Sequence, residues 1–194
     1  MAPRSDRPGL RERKKLKTRA TIRAEAMRLF ESQGYEATTV EQIAEAAEVS
    51  PSTFFRYFPT KERVVMADDL DDPTLAALEQ IPLDVPPLTA LRQAYEATLA
   101  AMSEEQIALE LARTRLMFAV PALRAAFTDE LYRSIDYGVE LLATRLGRSR
   151  DDTRLRVLVG AMTGAVLAMA GTAPQDLRYP IRALELLEAG LPVE

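Results

Sequence analysis

The residues best equipped for chemistry in this chain are cations and aromatics, and they cluster towards the N-terminus. Arg11, Arg13, Lys14, Lys15, Lys17 and Arg19 form a basic run opposed only by Glu12, the composition of a segment that neutralises phosphates. A solvated, flexible tail would have the same composition. Further along, Phe54-Phe55-Arg56-Tyr57-Phe58 sets an arginine inside an aromatic run. A guanidinium is a rigid fork of donors that matches a phosphate or the O6/N7 edge of guanine. The usual equipment of enzymes is missing. The 194 residues include no cysteine and no histidine, which excludes thiolate nucleophiles, Ser-His-Asp triads, imidazole bases and most transition-metal sites. We therefore read the chain as a non-enzyme, with no catalytic residues, no metal site and no cofactor.

The charge is unevenly distributed. Residues 1–63 carry 13 Lys and Arg against 9 Asp and Glu, whereas the remainder carries 12 against 20, and all four lysines lie in the first part. A basic part suited to a polyanion thus precedes an acidic part suited to other work. With 47% hydrophobic and 28% charged residues, the composition is that of a soluble globular protein. The charged stretch Met1–Leu16 has no apolar core of a secretory signal, and the lack of cysteine fits a reducing compartment, so a cytoplasmic location is expected. The uncharged run from Val157 to Ala173 is shorter than the ~20 residues that span a bilayer. It reads as a buried helix, and no membrane partner is expected.

Helices must position these side chains. Ile22, Ala26, Leu29 and Phe30 recur on one stripe between Thr18 and Gln33, and Gly34 stops that helix. Thr39-Val-Glu-Gln42 is a capping box that opens a second helix. Ser50 as N-cap and Pro51 at the first helical position open a short third one, which Pro59 closes. The spacing leaves room for only a tight turn between the second and third helices, the dimension of a helix-turn-helix. On the third helix Phe54 and Phe58 share the core face, so Phe55, Arg56 and Tyr57 point outwards. Either those aromatics form a second core layer or they lie against a DNA backbone while Arg56 reaches into the major groove.

The run Ala37-Thr-Thr-Val-Glu-Gln-Ile-Ala44, followed by Val49-Ser-Pro-Ser-Thr-Phe-Phe-Arg-Tyr-Phe-Pro-Thr-Lys-Glu62, resembles the DNA-binding domain of the TetR family of bacterial transcriptional regulators. The resemblance covers about residues 17–67. It implies that Thr39, Ser52, Thr53, Phe55, Tyr57 and Lys61 hold phosphates and that Arg56 is a base-reading candidate; from the charge of the arm itself, Arg13, Lys14, Lys15 and Lys17 are expected to add phosphate contacts. Two positions depart from the family pattern. Glu48 stands where glycine is usual, and Phe55 lacks the hydroxyl of a frequent tyrosine.

The rest of the chain is read from its own residues. Pro82, Pro86 and Pro87 mark a linker after a fourth helix. Helices follow from Leu88 to Met102, from the capping box at Ser103–Gln106 to Phe118, from Pro121 until Gly147 stops it, from Thr153 to Gly171 and, after Pro174, over 175–189. The fold class is all-α with about nine helices. The domains are a basic flexible arm over 1–16, a helix-turn-helix domain over 17–63, and a ligand-binding and dimerisation domain over 64–194. Methionine and aromatic side chains suit an adaptable apolar pocket, so Tyr95, Met102, Met117, Phe118, Phe127, Tyr132 and Met162 are candidate ligand contacts. Arg113 could hold an anionic head or lie at the surface.

Short segments, Asp84-Val-Pro-Pro87 through Arg92 and Met117–Leu123, resemble the regulatory domain of the mycofactocin-associated branch of the family, which implies an apolar-plus-anionic effector such as an acyl thioester. The small residues Gly160, Ala161, Gly164, Ala165 and Ala168 allow another helix to approach closely, and the family pairs its last two long helices across a twofold axis. A homodimer through residues 153–171 and 175–189 is therefore expected; the alternative is a central helix of a monomeric bundle. Taken together, these readings imply a dimeric, ligand-responsive repressor of a palindromic double-stranded operator. The competing reading is a helical small-molecule binding or scaffold protein with a degenerate DNA-binding domain.

Overall fold

The computed structural model of the protein describes residues 9–66, 70–172 and 175–191. Ten α-helices and no strand occur among them, and the chain separates into two compact units, Met1–Val65 and Met66–Glu194.

In the first unit α1 runs from Leu10 to Gln33. It begins well before Thr18, so the part of the expected flexible arm from Leu10 to Leu16 is helix; residues 1–8 lie outside the described residues. The physical reason is composition: Leu, Arg, Glu and Lys are all strong helix formers. Packing contributes little there, since Leu10 is 66% exposed and Leu16 is 51% exposed. α2 (Val40–Ala46) has its capping box formed, with the Gln42 amide donating to Thr39 Oγ1 and the Thr39 amide to Gln42 Oε1. α3 (Pro51–Tyr57) starts on Ser50, whose Oγ accepts from the Thr53 amide at 3.2 Å. Between them Glu48 has φ 53°, so the left-handed turn is kept by a residue with a Cβ, at a cost of about 1–2 kcal/mol. Ile22, Ala26, Ile43, Phe54 and Val64 are fully buried and form the heart of the unit. α4 (Lys61–Met66) follows Pro59.

The second unit contains α5 (Asp71–Glu79), α6 (Pro87–Ala101), α7 (Glu104–Ala119), α8 (Pro121–Leu146), α9 (Thr153–Thr172) and α10 (Tyr179–Glu188). The tenth helix, against nine expected, comes from α5, which is distinct from α4. Pro73 in its first turn suits a helix start, where a missing N–H leaves no bond unmade. α10 opens at Tyr179, later than expected, with Pro180 in its first turn. α6 packs on α5 and α10, and α9 on α8 and α10. Gly138 allows the closest approach: a Cβ there would lie 2.9 Å from Val159 Cγ1. Beside it Val139, Leu142, Ala143, Leu155 and Val159 form one core cluster. Arg145 ties α8 to the α5–α6 turn by donating to the carbonyls of Leu78, Ile81 and Pro82.

Candidate nucleic-acid interface and effector cavity

On α3, Phe54 and Phe58 are buried as their spacing requires, while Phe55 is 50% exposed with its ring edge on Phe54. Arg56 is exposed and lies over the half-buried Tyr57 ring, 5.4 Å from its centroid. The packed face fixes the helix and leaves Arg56 as the one long cation on its outer face. Ser50 Oγ donates to Thr53 Oγ1 at 3.0 Å and lies 2.9 Å from Ser52 Oγ, which arrays three hydroxyls at the start of α3. Thr39 accepts the capping bond yet keeps its own O–H for a further partner. Arg13, Lys14, Lys15 and Lys17 are all exposed on the first turns of α1. Arg19 stands apart from them, with its guanidinium 5.6 Å above the Phe58 ring.

Lys61, expected as a phosphate contact, has most of its donors turned inwards. Its Nζ donates to the Tyr35 carbonyl at 2.8 Å and the Thr38 carbonyl at 3.0 Å, and lies 4.1 Å from the centroid of the Tyr35 ring. Two of its three donors are thus committed to the turn between α1 and α2. The Tyr35 hydroxyl donates to Glu62 Oε1 at 3.0 Å, and burial together with that bond pushes the phenol above its ordinary range. Burial alone would raise Glu62, but its backbone amide, Thr60, Tyr35 and Lys61 outweigh this and hold the carboxyl below its usual value. This ionic cluster holds the start of α4 against the loop that carries Thr39.

In the second unit a cavity of about 280 Å³ opens between α6, α7, α8 and α9. Five of the candidate ligand residues line it: Tyr95, Arg113, Met117, Phe127 and Met162. Three do not. Tyr132 is 69% exposed on the outer face of α8, Phe118 packs edge-on against Phe127 with centroids 6.3 Å apart, and Met102 borders a separate cavity of about 100 Å³ beside Glu110. Arg113 is not a surface cation. It is 5% exposed, and its Nε donates to Glu110 Oε2 at 2.6 Å.

α9 is unusual in being apolar yet uncovered. From Thr153 to Ala170 its mean hydropathy is 1.3, enough by length and composition to cross a membrane, and 22% of these residues are buried. Leu155, Val159 and Met162 face inwards, whereas Arg154, Val157, Ala161, Gly164 and Ala168 make an exposed stripe at spacings of three and four.

Residues 22–67 match the family described as bacterial regulatory proteins, tetR family, and residues 85–192 match the MftR C-terminal domain. The chain belongs to the TetR family. It is 41% identical over 152 residues to the HTH-type transcriptional regulator TcmR of Streptomyces glaucescens, which covers 75% of this chain and 67% of that protein. It is 30% identical over 137 residues to RutR of Escherichia coli strain K12, covering 70% of this chain and 65% of the relative. The chain thus spans about two thirds of the length of these curated relatives. The repressor FadR of Thermus thermophilus, solved in complex with lauroyl-CoA, is 28% identical with a TM-score of 0.51, covering 91% of this chain and 96% of that one. SmeT, the repressor of a Stenotrophomonas maltophilia efflux pump, shares the fold at 21% identity and a TM-score of 0.56, covering 89% of each chain.

As a TetR-family member the protein is a helix-turn-helix transcriptional regulator and not an enzyme. Glu48 does not mark a degenerate motif, because it adopts the left-handed turn itself. Sequence reasoning missed two features of the site. The Glu110–Arg113 pairing was signalled by opposite charges at i and i+3 on a helix. The inward turn of Lys61 had no local signal, because its partners are carbonyls far away in the sequence.

Proposed function

We propose that the protein is a homodimeric repressor that binds a palindromic operator through α3 and leaves it when an apolar effector occupies the α6–α9 cavity. The observation that carries the DNA-reading part is Arg56: exposed, cationic, and held on a helix whose opposite face is locked by Phe54 and Phe58. The hydroxyls of Thr39, Ser52 and Thr53 and the outward rings of Phe55 and Tyr57 flank it as backbone contacts. Arg13, Lys14, Lys15 and Lys17 extend the positive surface along α1. Such a regulator works where the chromosome lies, in the cytoplasm.

The dimer reading rests on the exposed stripe of α9. An alternating three-and-four spacing of Val, Ala and Gly is the seam along which two helices pack closely, and twofold dimers are the commonest assembly. Leu186 of α10, 46% exposed, adds apolar surface on the neighbouring helix. This pairing accounts for an apolar helix without invoking a membrane. The same helix lends Met162, Thr163 and Val166 to the cavity wall, so an effector that prefers one dimer arrangement shifts the population towards it.

Capture of genomic fragments by the purified protein, followed by titration of the enriched sequence at two salt concentrations, tests the reading. A palindromic motif whose affinity falls steeply with salt is expected. Recovery of no motif, with salt-insensitive weak binding, would favour the scaffold alternative.

A further inference from the structure

We propose that the effector is a neutral, largely apolar molecule of about two rings, and that the Glu110–Arg113 pair selects against carboxylates; this rests on the cavity being the effector site. Among the described residues, Arg113 is the only charged one lining the cavity. By composition alone such a wall invites an anionic head. The pairing reverses that expectation. Arg113 Nε donates to Glu110 Oε2 at 2.6 Å, and the two side chains are 6% and 1% exposed, so the wall presents a neutral dipole rather than a positive charge.

An entering carboxylate would shed its hydration and meet a guanidinium whose field Glu110 already cancels in a poorly solvated site. Uncharged ligands avoid that loss. The other polar groups of the wall, the hydroxyls of Tyr95, Ser134, Thr163 and Tyr179, are uncharged, and Ser134 already donates to the Glu130 carbonyl at 3.0 Å, so none supplies the positive charge that a carboxylate would need. What remains is the apolar surface of Leu91, Met117, Phe127, Met162 and Val166. A volume of about 280 Å³ is nearly twice the roughly 150 Å³ of an engineered apolar cavity that takes one benzene. Two fused rings with a small substituent therefore fit, whereas a bulkier ligand requires the helices to part.

The test is calorimetric titration of the full-length protein with methyl 2-naphthoate and with 2-naphthoate, which differ in charge on one skeleton. The ester should bind wild type at least tenfold more tightly than the carboxylate. Glu110→Gln leaves Arg113 uncompensated and should narrow that ratio at least tenfold or invert it. Should Glu110→Gln fail to fold, the double variant Glu110→Gln with Arg113→Met has no charge in the wall and should keep the preference for the ester. Equal or tighter binding of 2-naphthoate by wild type overturns the proposal. So does a double variant that loses the ester preference, or a folded Glu110→Gln protein with the wild-type ratio. If neither compound binds wild type, the proposal is overturned while the cavity reading stands; Val166→Trp fills the cavity, and if ester binding survives it, the cavity is not the effector site and the underlying reading fails with the proposal.

Discussion

Arg56 and Lys61 show how two cations near each other in sequence divide their work. Arg56 is exposed and stacked on Tyr57, a contact it would exchange for a base edge. Arg56→Ala should cost about 1–3 kcal/mol per half-site and relax preference at one symmetric pair of positions. Affinities for a set of single-base operator variants decide this: a uniform loss with an intact preference profile would make Arg56 a phosphate clamp, with sequence read through Ser52, Thr53 or DNA shape. Lys61 is tied to the Tyr35 and Thr38 carbonyls. Lys61→Met should lower the stability of the DNA-binding unit by roughly 1.5–3 kcal/mol, the range for hydrogen bonds from a charged group. It should weaken binding to every sequence while leaving the salt slope unchanged; a slope shallower by one phosphate would restore the expected contact. Glu48 is the third informative position. Glu48→Gly relieves the left-handed strain and should raise unfolding stability by about 1 kcal/mol in denaturant melts. Local chemistry at these sites was legible where partners lie within one helical turn, as for Thr39 with Gln42 and Ser50 with Thr53. Lys61 was not, because its partners come from another element.

Caps and breakers also explain which elements could be read. α2, α3, α6, α7 and α8 start at or beside the expected residues, since Thr39, Ser50, Ser103 and the prolines at 51, 87 and 121 act locally. The start of α1 was hidden because a helix built on propensity alone shows no apolar stripe. Facing was the other gap. Periodicity put Tyr132 on a helix but could not say that its position on α8 is 69% exposed. The early turns of α1 carry the clearest prediction at this scale. Replacing Arg13, Lys14, Lys15 and Lys17 together with alanine should keep the helix, as alanine is the best helix former. Binding to all sequences should weaken about equally, and the salt slope should become shallower by up to roughly 0.9 per lost contact. An unchanged slope would remove these residues from the interface.

For the whole molecule, the dimer is the feature on which both binding and response depend. Light scattering at micromolar concentration should give twice the 21.5 kDa chain mass. Gly164 has open space where a Cβ would stand, so Gly164→Glu costs nothing within one chain's own packing but sets like charges against each other across the seam. Monomer or insoluble protein is expected; an unchanged dimer would place the interface elsewhere. The division into a basic and an acidic part was visible in composition, and the TetR-family fold followed from motifs in the first part. The cavity was not, since five of its eight expected contacts line it and nothing in the spacing separates those from the other three.

The turns of α1 from Leu10 to Lys17 project without an apolar face to hold them, so their helicity depends on marginal local propensity. Neutralising their charges on a phosphate backbone would order them as it binds them. Operator affinity should then carry an ordering enthalpy, weakening on warming more than a preformed surface would, and the same few residues would make the regulator sensitive to both temperature and salt.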